Sequence, residues 1–311
     1  MSDHRALVIG EALVDVIVHA DGTREEHPGG SPANVALGLA RLGRRVDLLT
    51  WLAHDAYGRR VTSHLEASGV HLLSGDRSAL TTPTSVAWLD ESGQAARYDF
   101  DLTWEMPGAV ADDTAPLVVH TGSIAATLQP GGPAVLREIT ARRALSTVTY
   151  DPNARPAIMG TPAQALAVVN EFVRVADVVK ASDEDVAWLC PGRDIETVAE
   201  DWARSGPAVV VVTRGGAGVS AVTAGGIRLT IPARPVEVAD TLGAGDSFMS
   251  GLIDGLWHEE LLGGRNRGAL RAIDEDTLRR VLDRCLRIAA ITVSRAGANP
   301  PRLAELAEAQ D

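Results

Sequence analysis

The 311-residue chain carries 45% hydrophobic residues, enough for the core of one large α/β domain or two small ones. Its net charge of -12, with no arginine cluster interleaved with aromatics, argues against nucleic acid as a partner. No run of about 18 apolar residues is present to cross a membrane, and MSDHRALVIGEALVDVIV has acidic residues where a signal peptide has basic ones, so the expected location is the cytoplasm. Cys190 and Cys285 lie far apart and outside any metal-ligand spacing, which reads as two reduced thiols.

In chain order, RALVIGEALVDVIV (5–18) reads as a β-branched strand. SPANVALGLARLG (31–43) reads as a helix with Ser31 as N-cap, Pro32 in the first turn and Gly43 as the stop. RVDLLTWLA continues as a strand and YGRRVTSHLEASG as a helix ending at Gly69. PTSVAWLDESGQAARYDFDL (83–102) breaks this rhythm: two alternating segments flank Glu91-Ser92-Gly93, the pattern of a hairpin inserted on a βα framework. The alternation resumes with PLVVHTGSI, GPAVLREITARRA, STVTYDPN, TPAQALAVVNEFVRV and ADVVKAS, then a short helix and a longer one from about 194 to 205. AVVVVTR (208–214) is continuously apolar, as a strand buried on both faces must be. A β-ribbon, a helix after Gly245, and helices near 274–294 and 302–309 complete the chain. The expected fold is one doubly wound α/β domain over 1–311, with a small β lid built from about 12–20 and 81–104.

Three stretches carry chemistry. DTLGAGDSF (240–248) precedes a helix with apolar residues at 248, 249, 252, 253, 256 and 257. The amides of Gly243, Ala244, Gly245 and Asp246 therefore open that helix and form an anion hole. A carboxylate placed there is self-defeating unless it meets a group that brings its own proton, such as a hydroxyl about to attack phosphorus, although Asp246 is equally a plausible helix cap. HPGGSPANVALGLARLG (27–43) gives a close backbone approach at Gly29 and Gly30 and places Asn34, which both donates and accepts, on the first turn; that suits a polyol. Asp15 in GEALVD sits where an α/β sheet presents its carboxyl ends and can accept two sugar hydroxyls, or stand as a solvated strand end. Arg155 in DPNARP can match anionic oxygens bidentately, and Phe100 and Trp88 on the hairpin can cover a ligand or pack across the strands.

The pair GGSPANVALGLARLG and DTLGAGDSFMSGLI, about 210 residues apart, resembles the two signatures of the ribokinase-like, phosphofructokinase B type carbohydrate kinases. GEALVD is similar to the opening of fructokinase-type members, PTSVAWLDESG to their lid hairpin, DPNARP to their Asp-x-Asn-x-Arg segment, and VVTRGGAG and AGANPP to their nucleotide-site loops. The resemblance implies transfer of phosphoryl from ATP to a sugar hydroxyl, with Asp246 as base and Gly243, Ala244 and Gly245 in the anion hole. It implies Asp15, Gly29, Gly30, Asn34, Phe100 and Arg155 around the sugar, and Lys180, Ser182, Thr213, Gly215, Gly218, Gly245 and Asn299 around the nucleotide. Where most members carry Asn-x-x-Glu after a lysine, this chain has Lys180-Ala-Ser182-Asp-Glu-Asp185, so Asp185 is expected to act on Mg2+ through water; Ser182-x-x-Asp185 also fits a helix cap. Pro301 lies near a position where ribokinases often carry a serine, so a K+ site rests on the carbonyls near Asp240 and Leu242. The motifs tilt the substrate toward fructose, with 2-keto-3-deoxygluconate next and a nucleoside or ribose third; a silent sugar or nucleotide sensor on the same fold is the reading from another class. The lid's strand edges suggest a homodimer.

Two motifs are decoys or absent. No GxxxxGK[ST] is present, so this is not a P-loop kinase. Gly216-Ala-Gly218-Val-Ser-Ala221 matches GxGxxA behind a strand, but VSAVTAGGIRLTIP alternates as a β-ribbon, whereas a dinucleotide fingerprint opens a helix.

Overall fold

In a computed structural model of the chain the described residues are 4–73, 78–90, 95–108 and 115–308. The first apolar run is not one strand. It forms β1 (Ala6–Ile9) and β2 (Leu13–Val18), which belong to different sheets, and the chain crosses between them at Gly10–Ala12. Both pieces bury apolar side chains, so composition alone does not mark the break. A strand that the sequence reading missed follows, β3 (Arg24–Gly29), whose REEHPG carries no apolar alternation because only Gly29 is buried.

The framework then alternates as expected: α1 (Ser31–Arg41), β4 (Val46–Leu49), α2 (Ala56–Glu66) and β5 (Val70–Leu73). The hairpin strands are β6 (Thr84–Leu89) and β7 (Ala95–Asp101), paired antiparallel; the Glu91-Ser92-Gly93 turn lies outside the described residues. Next come β8 (Val118–Gly122), α3 (Ser123–Thr127), α4 (Gly131–Arg142), β9 (Thr147–Asp151) and α5 (Pro162–Val175). They are followed by β10 (Val178–Ser182), α6 (Asp183–Leu189), α7 (Ile195–Ser205), β11 (Val209–Thr213), β12 (Val219–Thr223) and β13 (Arg228–Ile231). The last helices are α8 (Ala244–His258), α9 (Arg267–Arg271), α10 (Glu275–Val293) and α11 (Leu303–Glu308).

Nine strands form one sheet in the order β13-β12-β11-β10-β9-β8-β1-β4-β5, parallel except where β12 runs against β11 and β13. Neighbouring strand residues feed opposite cores. Val178, Val209 and Val211 pack with α8 and α10, while Val179, Val210 and Val212 pack with α5 and α7. That two-sided burial explains the unbroken valine run of β11. The lid is a separate four-stranded sheet, β3-β2-β6-β7, in which β2 pairs parallel with β6 and antiparallel with β3. GxGxxA sits on a short 3-10 turn at Gly215–Ala217 and opens β12, a strand, so it is no dinucleotide fingerprint. Both cysteines are buried free thiols, and among the described residues no helix is long and apolar enough to cross a membrane.

Helix α8 is locked from below by Asp254. This fully buried carboxylate accepts from Arg44 Nε at 2.6 Å and Arg284 Nε at 2.6 Å, joining the end of α1, α8 and α10. Both guanidiniums keep an edge in water, so Asp254→Ala is expected to cost about 2 kcal/mol, below the ~3–5 kcal/mol of a fully buried pair. Denaturant unfolding of the variant checks this.

Candidate active site

A cleft of about 1030 Å³ runs along the carboxyl ends of the parallel strands, between the sheet and the lid. At its centre is the N-terminus of α8. Gly243 is the N-cap with φ 73°, a left-handed conformation that costs a residue with Cβ, and a Cβ there would lie 2.6 Å from the Ala298 side chain. The helix then runs from Ala244, so the amides of residues 243–246 lie at its open, electropositive end.

Asp246 is 8% exposed and lines this cleft. Its Oδ1 accepts from Ser31 Oγ at 2.7 Å and its Oδ2 from Asn34 Nδ2 at 2.8 Å. Ser31 is therefore not the N-cap of α1. The N-cap is Gly30, and Ser31 is the first helical residue, its hydroxyl turned to a partner 215 residues away. Each carboxylate oxygen has two lone pairs, so one per oxygen remains to receive a proton.

The residues expected around a sugar come from the lid, from the start of α1 and, for Arg155, from the loop after β9. Asp15 is not at the end of a strand of the large sheet; it sits on lid strand β2, opposite His27 and Ser85. Burial raises its pKa, against the opposing hydrogen bond from the Ser85 hydroxyl. Asp15, Gly30, Asn34, Phe100 and Arg155 all line the cleft, together with Leu13, Ser85 and Leu102 of the lid. Gly29 does not; a Cβ at Gly29 would collide with the Asp15 carboxylate, so its part is to leave room for Asp15. Trp88 faces elsewhere, its ring under the Arg97 guanidinium, whereas Phe100 stacks on Tyr98 and keeps 40% of its surface exposed beside the cleft. Arg155 Nη1 donates to the Asn153 carbonyl and to Asn153 Oδ1.

Of the residues expected around a nucleotide, Lys180, Ser182, Thr213, Gly215, Gly218 and Gly245 line the cleft, as do Asp240 and Leu242. Asn299 does not. It accepts from Arg41 Nη1 at 2.6 Å, outside the cleft. Lys180 is buried and donates to Asp151 Oδ2 at 2.9 Å. Its Nζ also packs against Gly245, 2.9 Å from where a Cβ would stand. Burial pulls the Lys180 ammonium down, but the carboxylates of Asp151, Asp185 and Asp246 outweigh it and leave its pKa raised. Burial pushes the Asp151 carboxyl up to about 6 against the pull of Lys180.

Ser182 and Asp185 form a reciprocal capping box at the start of α6. Asp185 Oδ2 accepts from the Ser182 amide and Oδ1 from the Ala154 amide, both at 2.7 Å. Each oxygen keeps a further lone pair, which fits a hydrated Mg2+ better than direct coordination. Among the described residues no group of three or more His, Cys, Asp and Glu is set to hold a metal, so such an ion would depend on ligand phosphates. Asp240 braces two loops, accepting from the Leu242 and Gly297 amides at 2.9 and 2.8 Å.

Residues 3–305 match the pfkB family carbohydrate kinase model. The chain belongs to this family. It is a sugar kinase, 34% identical over 258 residues to a fructokinase of Klebsiella pneumoniae, a match covering 80% of this chain and 83% of the relative. By structure it is similar to the fructokinase of Xylella fastidiosa solved with bound ATP, with TM-score 0.83, 22% identity and 98% and 97% of the two chains covered. It is also similar to a Vibrio cholerae fructokinase double mutant bound to fructose, ADP and potassium, with TM-score 0.76, 25% identity and 95% and 94% covered.

Sequence reasoning did not single out Glu11, Ser85, Ser123, Asp151 or Asn153, although GEALVD and DPNARP contain three of them. The signal for Glu11 is a carboxylate flanked by apolar residues on both sides, which cannot be solvated if the run is a buried strand. For this kinase, Lys180→Met strands the buried Asp151 carboxylate and is expected to cost about 3–5 kcal/mol at neutral pH. A carboxyl raised in the folded state favours folding below its unfolded value and loses that contribution as pH rises through the folded one. The variant should therefore recover stability relative to wild type at pH 5 and lose most at pH 8, read from denaturant midpoints.

Proposed function

We propose that this sugar kinase transfers the γ-phosphoryl group of ATP to a hydroxyl of fructose. The observation that carries the reading is the buried Asp246 carboxylate at the N-terminus of α8, oriented by Ser31 and Asn34 toward a cleft with hydroxyl-binding groups at one end and glycine loops at the other. In the proposed step the fructose hydroxyl gives its proton to Asp246 as its oxygen bonds to the γ-phosphorus. The bond from that phosphorus to the β-γ bridging oxygen breaks, and ADP leaves. The amides of Gly243, Ala244, Gly245 and Asp246, backed by the Lys180 ammonium, meet the charge on the transferring group. Mg2+ bound with the nucleotide would neutralise phosphate charge, with Asp185 facing it through water. Asp15, Asn34 and the Gly30 backbone would hold the sugar, with Phe100 over it; Thr213, Gly215 and Gly218 would border the nucleotide. Catalysis of this kind is positional and electrostatic.

The fructokinase relatives support fructose as the acceptor. Arg155 beside the cleft keeps 2-keto-3-deoxygluconate as the second reading, because a guanidinium suits its carboxylate. A monovalent cation at the Asp240–Leu242 turn belongs to the same proposal, and K+ in the Vibrio cholerae complex supports it. So does a homodimer through the lid, whose edge strand β7 exposes Tyr98 (57%) and Phe100 (40%). Light scattering is expected to give twice the monomer mass, and a monomer removes the dimer.

The test is ADP release with MgATP over fructose, 2-keto-3-deoxygluconate, ribose and adenosine, in KCl and in tetramethylammonium chloride, beside Asp246→Asn. Fructose is expected to give the largest kcat/KM, with more turnover in KCl, and Asp246→Asn to lower kcat by roughly 10² to 10⁴ fold with ATP binding retained. ATP binding without turnover of any sugar would instead make the chain a sensor.

A further inference from the structure

The sugar-phosphorylation scheme gives no part to Glu11, a carboxyl 3% exposed that nevertheless lines the cleft. It stands at the crossing from the large sheet to the lid, two residues after β1 ends and two before β2 begins. Its Oε2 accepts from the Ala125 amide at 3.1 Å, and the Ser123 side chain also donates to it. Its carbonyl oxygen lies 2.6 Å from where a Cβ on Gly30 would stand, so it touches the start of α1 as well.

Ser123 is one of few non-glycine residues described here with a positive φ, at 55°. Such a conformation persists in an L-residue only where its surroundings hold it. Ser123 and Ile124 form part of the cleft wall, next to Leu13 of the lid. One buried residue thus meets the wall at α3 through its side chain and the start of α1 through its carbonyl oxygen, at the root of strand β2, which carries Asp15.

We infer that Glu11 is a positioning residue for sugar binding, holding Ser123 and Ile124 in place as the wall against which β2 presents Asp15. This rests on the sugar-kinase reading of the cleft and adds to it the residue that sets the sugar pocket's shape. Burial pushes the Glu11 carboxyl up to about 8, against hydrogen bonds from its own amide, Ser123 and Ala125 and the charge of Arg155; Asp15 is the acidic group on the lid side of the cleft. Glu11 is therefore mostly neutral at pH 7, and glutamine copies that form. Because the folded value lies above the ordinary one, the arrangement is kept at low pH and lost as pH rises through about 8.

The experiment compares wild type, Glu11→Gln and Glu11→Ala by steady-state kinetics and by amide exchange of residues 123–127. Glu11→Ala is expected to raise the sugar KM about tenfold, to leave the ATP KM within about twofold, and to speed exchange at 123–127 about tenfold. Glu11→Gln is expected to keep the wild-type sugar KM at pH 7 and to lack the rise that wild type shows above pH 8. Unchanged exchange in Glu11→Ala, or an equal alkaline rise in wild type and Glu11→Gln, overturns the proposal. If Glu11→Ala does not fold, the pH profiles of wild type and Glu11→Gln decide. If no sugar is turned over by wild type, the phosphorylation reading fails, and exchange in the variants still decides the part played by Glu11.

Discussion

The two hydrogen bonds from Ser31 and Asn34 to Asp246 are the constraint on which the site depends. They join the first turn of α1 to the first turn of α8 and place a carboxylate at a helix end that favours negative charge. The same two helices are tied a second time, nearer the other end of α8, where Arg44 and Arg284 close on Asp254. With both ends fixed, α8 has little freedom to slide or turn, and the Gly243–Asp246 amides keep one orientation toward the cleft. Rigid placement of this kind is what a positional mechanism requires.

Electrostatics in the cleft is a matter of concentrated carboxylates around one ammonium. Asp151, Asp185 and Asp246 all act on Lys180, which is why it stays charged although buried. Each of these carboxylates accepts hydrogen bonds from protein donors: Lys180 for Asp151, two backbone amides for Asp185, Ser31 and Asn34 for Asp246. In the proposed mechanism Lys180 and the α8 amides supply the positive potential that would receive polyphosphate in a highly acidic chain. Asp185 shows how one residue serves two ends, since its capping of α6 also fixes the Ala154 amide beside Asn153 and Arg155.

Much of the framework is written in local patterns. The valine run of β11, the helical spacing of α8 and the Thr161–Gln164 capping box of α5 depend on neighbours in sequence, so periodicity and cap chemistry find them. Strand β3 escaped because only Gly29 of its six residues is buried, so it has no apolar face to alternate with a polar one. The break inside residues 5–18 escaped because both daughter strands are buried, one in each sheet. Ser31 was misplaced for a related reason: a serine before a helix is an excellent cap, and only the distant Asp246 makes it more useful one position later.

The sequence alone determined the kind of residues at the site, because glycine-rich helix starts, a carboxylate in an anion hole and a polar first turn have meaning within a few residues of one another. Asp246, Asn34, Gly30 and the Gly243–Gly245 amides belong to that class. What the tertiary structure decided is which of the charged residues face the cleft and in what state. Asp15 moved from the large sheet to the lid, Asn299 was drawn away by Arg41, and Glu11, Asp151 and Lys180 acquired their roles through burial and partners far along the chain. Burial and charge pairing are sums over neighbours in space, and no window of sequence contains them.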